Sequence, residues 1–591
     1  MKALLIHDAA RHTWLRFRHP VEVMETRDPQ RVAGLLAAVE ERVESRGLHA
    51  AGFLAYEAAP AFDPTLAVRP DPSGFPLLWF GLFQRAEPTA LPVPAAVPFP
   101  ALNWAPSIDD ARYRADLAAI REAIRRGDTY QVNHTLRLCS SFAGDPDALF
   151  LPLAHAHRPP FGAVLPIDGW TVCSFSPELF FRRDGERIES RPMKGTIARQ
   201  PIREDDLAQA ESLRASPKDR AENAMIVDMV RNDLGRIAET GSVAVTAPFA
   251  IEQYPTLWQM TATVAARTRR ATAEVMAALF PAASITGAPK ASTMGIIAGL
   301  ETAPRRIYTG TIGFLAPGRR AQFNVAIRTV LIDHGTGTAE YGVGGGIVWD
   351  SRPAAEAAEW RTKARILADP GKPFELLETL LWRPGEGYWL LDAHLERLAA
   401  SAAWFGIPLD SAAVRGQLER HTRRFGERPH RIRLLVDHRG AVHLEHRPLT
   451  DPAPAVMRLV LAETPVDAAD PFLYHKTTRR EVYDRARAAH PGADDVLLQN
   501  GDGELTETTI ANIVVELEAR RLTPPLRCGL LGGCLRRHLL ETGAIEEGVI
   551  PASELHRATG LWIINSVRGM VPATIGDAAP ASNEKIPNPH P

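Results

Sequence analysis

Cysteine is scarce in this chain: four in 591 residues, at positions 139, 173, 528 and 534, with no CxxC pair among them. That scarcity excludes a disulfide-framed fold and a zinc ribbon, and it suits a reducing compartment. Net charge is equally thin. Sixty-eight basic residues stand against 70 acidic ones, leaving −2, so no basic field invites nucleic acid or an anionic membrane. Long apolar runs are missing too, and nothing approaches the ~18 consecutive residues that cross a bilayer. The opening MKALLIHDAARHTW has one lysine and a short apolar run that ends at His7. It does not read as a secretory signal, so a cytoplasmic protein is expected. No internal repeat is visible.

What is present is an ordinary globular composition, 45% hydrophobic and 23% charged. The length predicts about two to four domains. EPTALPVPAAVPFPALNWAPS (87–107) reads as an extended connector within or beside the first domain. In ADPGKPFELLET (368–379), Pro370, Gly371 and Pro373 cannot continue the helical pattern before them, so the boundary is placed there. The expected domains are 1–370 and 371–575, with a disordered tail over 576–591 that lacks apolar periodicity. Strands are predicted at 171–176, 178–184, 321–333 and 339–350, and helices at 111–127, 218–238 and 353–369. Beyond 370, RIRLLVD, DDVLLQN, IVVEL and LWIIN read as strands with helices between. Elements that arrive in groups, without strict alternation, predict an α+β fold.

Several residues ask for chemistry. Glu222 shares a helical stripe with Met225, Ile226 and Met229, and a carboxylate in an apolar stripe needs a cation or a donor; a first-turn carboxylate favouring the helix N-terminus also accounts for it. Glu356 and Glu359 raise the same question, with a Glu359–Lys363 surface pair as the plainer account. GVGGGIV (342–348) offers bare backbone N–H groups to an anion. Arg328, on the expected strand NVAIRT, shares a face with Ala326. The SITGAPK turn (284–290) adds a small-residue approach. A tight structural turn explains any one of these glycine motifs.

Taken in order, GDTYQVN, SPELF, PMKGT, KDRAENAMIVDMVRNDLGR, SITGAPK, FNVAIRT, GVGGGIV and EAAEWRTKAR resemble the chorismate-utilising enzymes across residues 50–370. The resemblance implies a large α+β sandwich that binds chorismate with Mg²⁺. It implies that Glu222 and Glu359 hold the metal with support from Glu356, and that Thr196, Thr286, Arg328, Gly344, Gly345 and Gly346 contact substrate. Lys194, third in PMKGT, stands where the aminodeoxychorismate-forming members carry lysine and the anthranilate-forming members carry alanine. It is expected to attack ring carbon C2 as the C4 hydroxyl leaves, with Glu178 as the acid. Ammonia then adds at C4 and expels the lysine. The amine attacks only when neutral, which a desolvated site beside a cation promotes. Isochorismate-forming relatives activate water with a lysine near Gln131, and here the run is YQVN. Met193 replaces a usual isoleucine of similar volume. No glutamine-hydrolysing module is apparent, so the ammonia is expected free or from a separate glutamine amidotransferase subunit.

A second ordered set, DAHLERL, FLYHKTTRR, GELTETTIANIVV, GLLGGCLRR and INSVRGMVPA, resembles the fold-type IV pyridoxal-phosphate enzymes, a two-subdomain group that includes branched-chain and D-amino-acid aminotransferases and aminodeoxychorismate lyase. On the residues alone Lys476 belongs to an exposed basic run; by resemblance it carries the cofactor, and a homodimer through this domain is possible. Glu507 matches the partner of the pyridinium nitrogen, and Arg397 the phosphate-binding arginine. The N–H groups of Cys534 and Leu535 and the Ser566 hydroxyl are expected on the phosphate, although Leu535 replaces a common threonine. The expectation is a two-step route from chorismate to 4-aminobenzoate. Its rivals are an anthranilate-type synthase joined to an aminotransferase, and a synthase with a non-catalytic second domain.

Overall fold

On the strand His49–Leu54, Ala51 and Phe53 enter one core while Ala50 and Leu54 enter another, so the sheet that holds it is covered on both faces. The computed structural model describes residues 3–576 apart from 96, 369 and 450–454; most of the tail expected to be disordered lies outside them. Two units result. One comprises the described residues up to Ile197 with Ala210–Gly371, the other Ala198–Gln209 with the described residues from Lys372.

The first unit stacks two ten-stranded sheets. A core including Leu4, Phe53, Trp79, Leu165 and Phe314 takes side chains from both. Helices cover the outer faces, as in an α+β sandwich. Helix Pro29–Arg46 illustrates the local logic. Asp28 caps it by accepting from the Gln30 N–H, Pro29 opens it, and Gly47 ends it in the left-handed region at φ 65°. Val32, Leu36, Val39 and Val43 form its buried stripe.

One expectation is corrected. The run 321–333 is two strands in different sheets, Arg320–Val325 in one and Thr329–Asp333 in the other. The chain changes sheet over Ala326–Arg328, and Arg328 takes φ 51°. Arg328 therefore lies at a crossover, and the alternation with Ala326 does not orient it. A second crossover runs through Pro177 and Glu178, between strands Trp170–Ser176 and Leu179–Asp184. The crossovers are laced together: Val325 N–H donates to the Glu178 carbonyl and Phe175 N–H to the Arg328 carbonyl. The strand expected over 339–350 is found as Thr338–Ile347 and includes the Gly run, Gly342–Gly346.

Beneath this rim is a buried ion cluster. Arg305 reaches Glu301 through Nε at 3.0 Å and Nη2 at 2.6 Å, and donates to the carbonyls of Ile285 and Asn133. Glu301 in turn accepts from the Thr135 N–H and hydroxyl. The cluster thus ties the SIT turn to strand Gln131–Ser141.

The second unit has a four-stranded sheet backed by helices Leu391–Phe405 and Ser411–His421 around Leu380, Leu398, Leu418 and Leu434. Its eight-stranded sheet closes on itself, because Leu505–Thr508 pairs with both Asp495–Gln499 and Asn512–Leu517. Segment Ala198–Gln209 groups with this unit. There Trp404 Nε1 donates to the Gln200 carbonyl, and Arg199 stacks 4.5 Å from the Trp404 ring.

Replacing Arg305 by alanine leaves Glu301 buried without its main counter-charge. The expected loss is about 3–5 kcal/mol of stability, read as a lowered denaturant midpoint for the first unit; a change below about 1 kcal/mol removes the cluster's organising role.

Candidate active sites

The Gln131–Ser141 and Thr338–Ile347 strands pair with Gly344 opposite Thr135 and Gly346 opposite Asn133. Thr135 and Asn133 spend their N–H groups on Glu301 and the Thr286 carbonyl. In an antiparallel ladder the facing glycines therefore turn their own N–H and C=O groups away from that strand. On their other side, pairing with Thr329–Asp333 ends at Tyr341. The backbone of Gly344 and Gly346 thus has no strand partner on that side, and the Lys363 ammonium takes the Gly344 carbonyl at 2.9 Å. A Cβ on Gly346 would stand 3.0 Å from the Lys194 Nζ, and one on Gly345 would stand 3.5 Å from Glu356 and 3.6 Å from Glu359. Absence of side chains here lets an amine and two carboxylates approach a strand.

Lys194 leaves strand Met193–Ala198, and its Nζ meets Glu222 Oε2 at 3.4 Å. Its carbonyl accepts from Asn223, the next residue of the same helix. That helix, Pro217–Gly235, is capped by Ser216, whose hydroxyl oxygen accepts from the Asp219 N–H. Its buried face is Asn223, Ile226, Val227, Val230 and Leu234, and Glu222 runs with Met225 and Met229 along the half-buried edge. The expected stripe is thus rotated by one position, which turns Glu222 toward Lys194. Lys218 also approaches Glu222, at 3.9 Å.

Glu178 is 3% exposed and accepts from the Ser284 hydroxyl at 2.7 Å. Burial raises its carboxyl to about 7, against the Ser284 and Met193 hydrogen bonds and the Arg328 charge. Arg328 lines a small cavity with Tyr254, Lys363 and Phe175. Glu359 pairs with Lys363 at 2.7 Å. Burial holds Glu356 above the ordinary carboxylate range, Ser351 opposes this, and the Glu359 charge adds to the rise. Glu222, Glu356 and Glu359 do not all come within 4.8 Å of one another; Glu356 and Glu359, whose charges repel, are oxygen donors of the kind that suits a hard divalent cation such as Mg²⁺. Thr196 donates to Gln259, and Thr286 turns its hydroxyl back to the Ala282 carbonyl, so neither hydroxyl is free in this arrangement. Sequence reasoning missed Ser284, hinted at only by its place within SITGAPK, and named Lys363 only as the partner of Glu359, without its reach to the Gly344 carbonyl.

In the second unit a cavity of about 430 Å³ is lined by Lys476, Glu507, Arg397, Cys534, Leu535 and Ser566, among others. The Lys476 carbonyl accepts from Leu377 N–H, which fixes the lysine against strand Leu376–Arg383. Burial, then the Arg397 charge, lowers its amine to about 8. Glu507 stands where the sheet closes, paired with Asn512. It accepts from Tyr483 at 2.8 Å, Leu531 N–H at 3.2 Å and Asn512 at 3.2 Å, yet burial still raises it to about 7. Arg397 spends three of its five N–H groups, two on Glu378 and one on the Gly532 carbonyl. The remaining two suit a phosphate. Gly533 caps helix Cys534–Glu541, and a Cβ there would stand 1.9 Å from the Asn512 Oδ1. An amine, an acidic ring partner, a guanidinium and a helix N-terminus around one cavity fit pyridoxal phosphate by their chemistry. Leu535 sends its side chain into the core with Val514 and Trp562. Glu378, His394 and Tyr483 were not found from sequence, because their contacts come from distant elements.

The chorismate binding enzyme family model matches residues 2–369, and the amino-transferase class IV model matches 375–575. Aminodeoxychorismate synthase component 1 of Escherichia coli (strain K12) is 38% identical over 268 residues, 45% of this chain and 59% of that protein. The protein of the same name from Klebsiella aerogenes is 40% identical over 267 residues, again 45% of this chain and 59% of its own length. The chain thus spans 59% of these relatives. The crystal structure of anthranilate synthase component I from Streptococcus pneumoniae TIGR4 overlays with TM-score 0.53 at 23% identity, over 62% of this chain and 92% of that one, a likeness of fold. Among the described residues no helix is long and apolar enough to cross a membrane.

Lys476 titrates near 8 when folded and at 10.5 as its unperturbed value. Between these values the unfolded chain binds the extra proton, so the stability of the ligand-free protein rises with pH over that window. Lys476→Met is expected to remove this rise; melting curves of both proteins from pH 8 to 10.5 with the same slope would contradict the burial argument.

Proposed function

Because the chain belongs to the chorismate binding enzymes and continues into an amino-transferase class IV region, we propose that it makes 4-aminobenzoate in two steps. Chorismate is aminated to 4-amino-4-deoxychorismate by the first unit, and pyruvate is eliminated from that product by the second. The observation that carries this is the Lys194 amine, set 3.4 Å from Glu222 beside the bare backbone of Gly346.

In this mechanism Arg328 and the open amides of Gly344 and Gly346 take substrate carboxylate. Glu178, with a carboxyl at about 7, keeps a proton near neutrality and delivers it to the departing C4 hydroxyl oxygen. Lys194 Nζ bonds ring carbon C2 as that C–O bond breaks. Ammonia then bonds C4 and the C2–N bond breaks, returning the amine. Gln131 carries no base to activate water. Glu222, Glu356 and Glu359 would hold Mg²⁺, which supplies positive charge to the substrate carboxylate.

In the second unit Lys476 would carry pyridoxal phosphate, Glu507 would hold its ring nitrogen, and Arg397, Ser566 and the N–H groups of Cys534 and Leu535 would hold its phosphate. When bound, the cofactor supplies an electron sink. Lys476, its amine at about 8, passes the proton by which the ring aromatises and pyruvate leaves. Arg431 and Arg433, alternate residues of strand His430–Val436, line the same cavity with Arg568. Three arginines support a substrate with two carboxylates. A separate glutamine amidotransferase subunit as ammonia source, pairing of chains through the second unit, and a cytoplasmic setting belong to the same proposal.

The test is incubation with chorismate, Mg²⁺, pyridoxal phosphate and ammonium, followed by identification of products. Lys194→Ala is expected to lower aminodeoxychorismate formation by about 10³-fold or more; an unimpaired variant removes the lysine from the chemistry. Lys476→Ala is expected to accumulate aminodeoxychorismate without pyruvate. Pyruvate release at the normal rate would overturn the lyase assignment, and an amino-acid-dependent keto acid from the intact chain would replace it with an aminotransferase.

A further inference from the structure

The cysteine that opens helix Cys534–Glu541 has an unusual neighbourhood. Its thiol, a ring nitrogen of His394 and a Glu378 carboxylate oxygen lie within 4.8 Å of one another. His394 is 1% exposed; its Nδ1 meets Glu378 Oε2 at 2.7 Å, while Nε2 makes no hydrogen bond. Glu378 is fixed in turn by the two Arg397 contacts, at 2.9 and 2.6 Å. A carboxylate that orients an imidazole, with a thiol beside that imidazole, is the arrangement by which a base takes a thiol proton. Burial works against charge on His394, but Glu378 and then Cys534 raise its affinity for a proton above the ordinary value. Cys534 also lines the cavity that holds Lys476 and Arg397.

The other cysteines lack these features. Cys528 gives its thiol to Glu504 at 3.2 Å and is pushed up to about 12, by burial first and then by that carboxylate. Cys173 is fully enclosed and Cys139 is on the surface.

We propose that Cys534 is a modification site: a thiol that His394 and Glu378 activate for exchange with small anionic disulfides such as glutathione disulfide, and that the phosphate of the second unit's cofactor shields. His394 takes the thiol proton and the Cys534 sulfur attacks one sulfur of the disulfide. A new S–S bond forms as the old one breaks, and the leaving thiolate takes the proton from His394. No other oxidant is needed. The carboxylates of the incoming half find the Arg397 guanidinium and the helix N-terminus. The adduct then occupies the phosphate end of the cavity and blocks cofactor loading until a thiol reductant removes it. Only the shielding and the block rest on the cofactor assignment; the activated thiol does not.

The test treats the reduced, cofactor-free full chain with glutathione disulfide and maps adducts by peptide mass spectrometry over time. Cys534 is expected to react about tenfold or more faster than Cys528, another buried cysteine of the same unit, with Cys139 confirming that the reagent is competent. Loading pyridoxal phosphate first is expected to protect Cys534 and leave Cys139 labelled. The thiolated protein is expected to lose uptake of the cofactor, followed by absorbance, and to regain it with dithiothreitol. His394→Gln is expected to slow Cys534 alone. Equal rates at Cys534 and Cys528 in the unaltered chain overturn the proposal whether or not the variant folds, and so does undiminished thiolation of the loaded protein. Failure of the untreated protein to bind pyridoxal phosphate sinks the cofactor assignment instead, and the comparison of the two cysteines still decides the thiol.

Discussion

An arginine and a carboxylate taken out of water together persist only when their remaining N–H groups and lone pairs also find partners. Each unit of this chain contains such a pair at its candidate site. In the first, Arg305 and Glu301 are 2% and 4% exposed, and their spare valences go to the backbone of Asn133, Thr135 and Ile285. The Thr135 amide goes to Glu301 and the Asn133 amide to the Thr286 carbonyl, so the facing Gly344 and Gly346 turn their backbone groups to the far side. The ion pair thereby anchors the strand opposite those glycines. In the second unit the pair is Glu378 and Arg397. Opposition from burial is overcome by Arg397 and His394, which hold the Glu378 carboxyl down at about 2, and the arginine lines the cavity.

Sequence made both families, the α+β class and the main helices legible, because their signals are local: capping residues, 3.6-residue periodicity and ordered motifs. It failed where the answer depended on a second sheet. The run 321–333 has unbroken strand character, yet the chain leaves one sheet for another at Ala326–Arg328; nothing in a period-2 pattern marks which sheet a residue joins. The glycines of GVGGGIV lie in a run legible as a strand over 339–350, but nothing in the sequence shows that the facing residues spend their amides on Glu301 and the Thr286 carbonyl. Glu378 and His394 stand 16 positions apart, and Glu301 reaches Thr135 across 166. Pairs of that separation carry no sequence signature of their own. The Thr286 hydroxyl donates to the Ala282 carbonyl, a contact its motif does not show.

Two carboxyl groups, Glu178 and Glu507, end near the same value of about 7 by the same cause, burial, but their surroundings assign them different work. Glu178 accepts from the Ser284 hydroxyl and the Met193 amide and lies at a sheet crossover beside Arg328. These surroundings support the proposed delivery of its proton to a substrate oxygen. Glu507 is gripped by a phenol, a backbone amide and a side-chain amide, all neutral donors. Neutral donors orient a carboxylate without repaying the full cost of burying its charge; the Lys476 and Arg480 charges offset part of it, and in the proposed function a ligand bringing a positive N–H would add to them. The two lysines divide in the same manner. Lys476 is enclosed next to a guanidinium, which favours a neutral amine, whereas Lys194 faces Glu222. Glu222 cannot give its full charge both to that amine and to a cation. In the proposed function the first site would therefore depend on how Glu222 divides its charge, and the second on an amine already stripped of water.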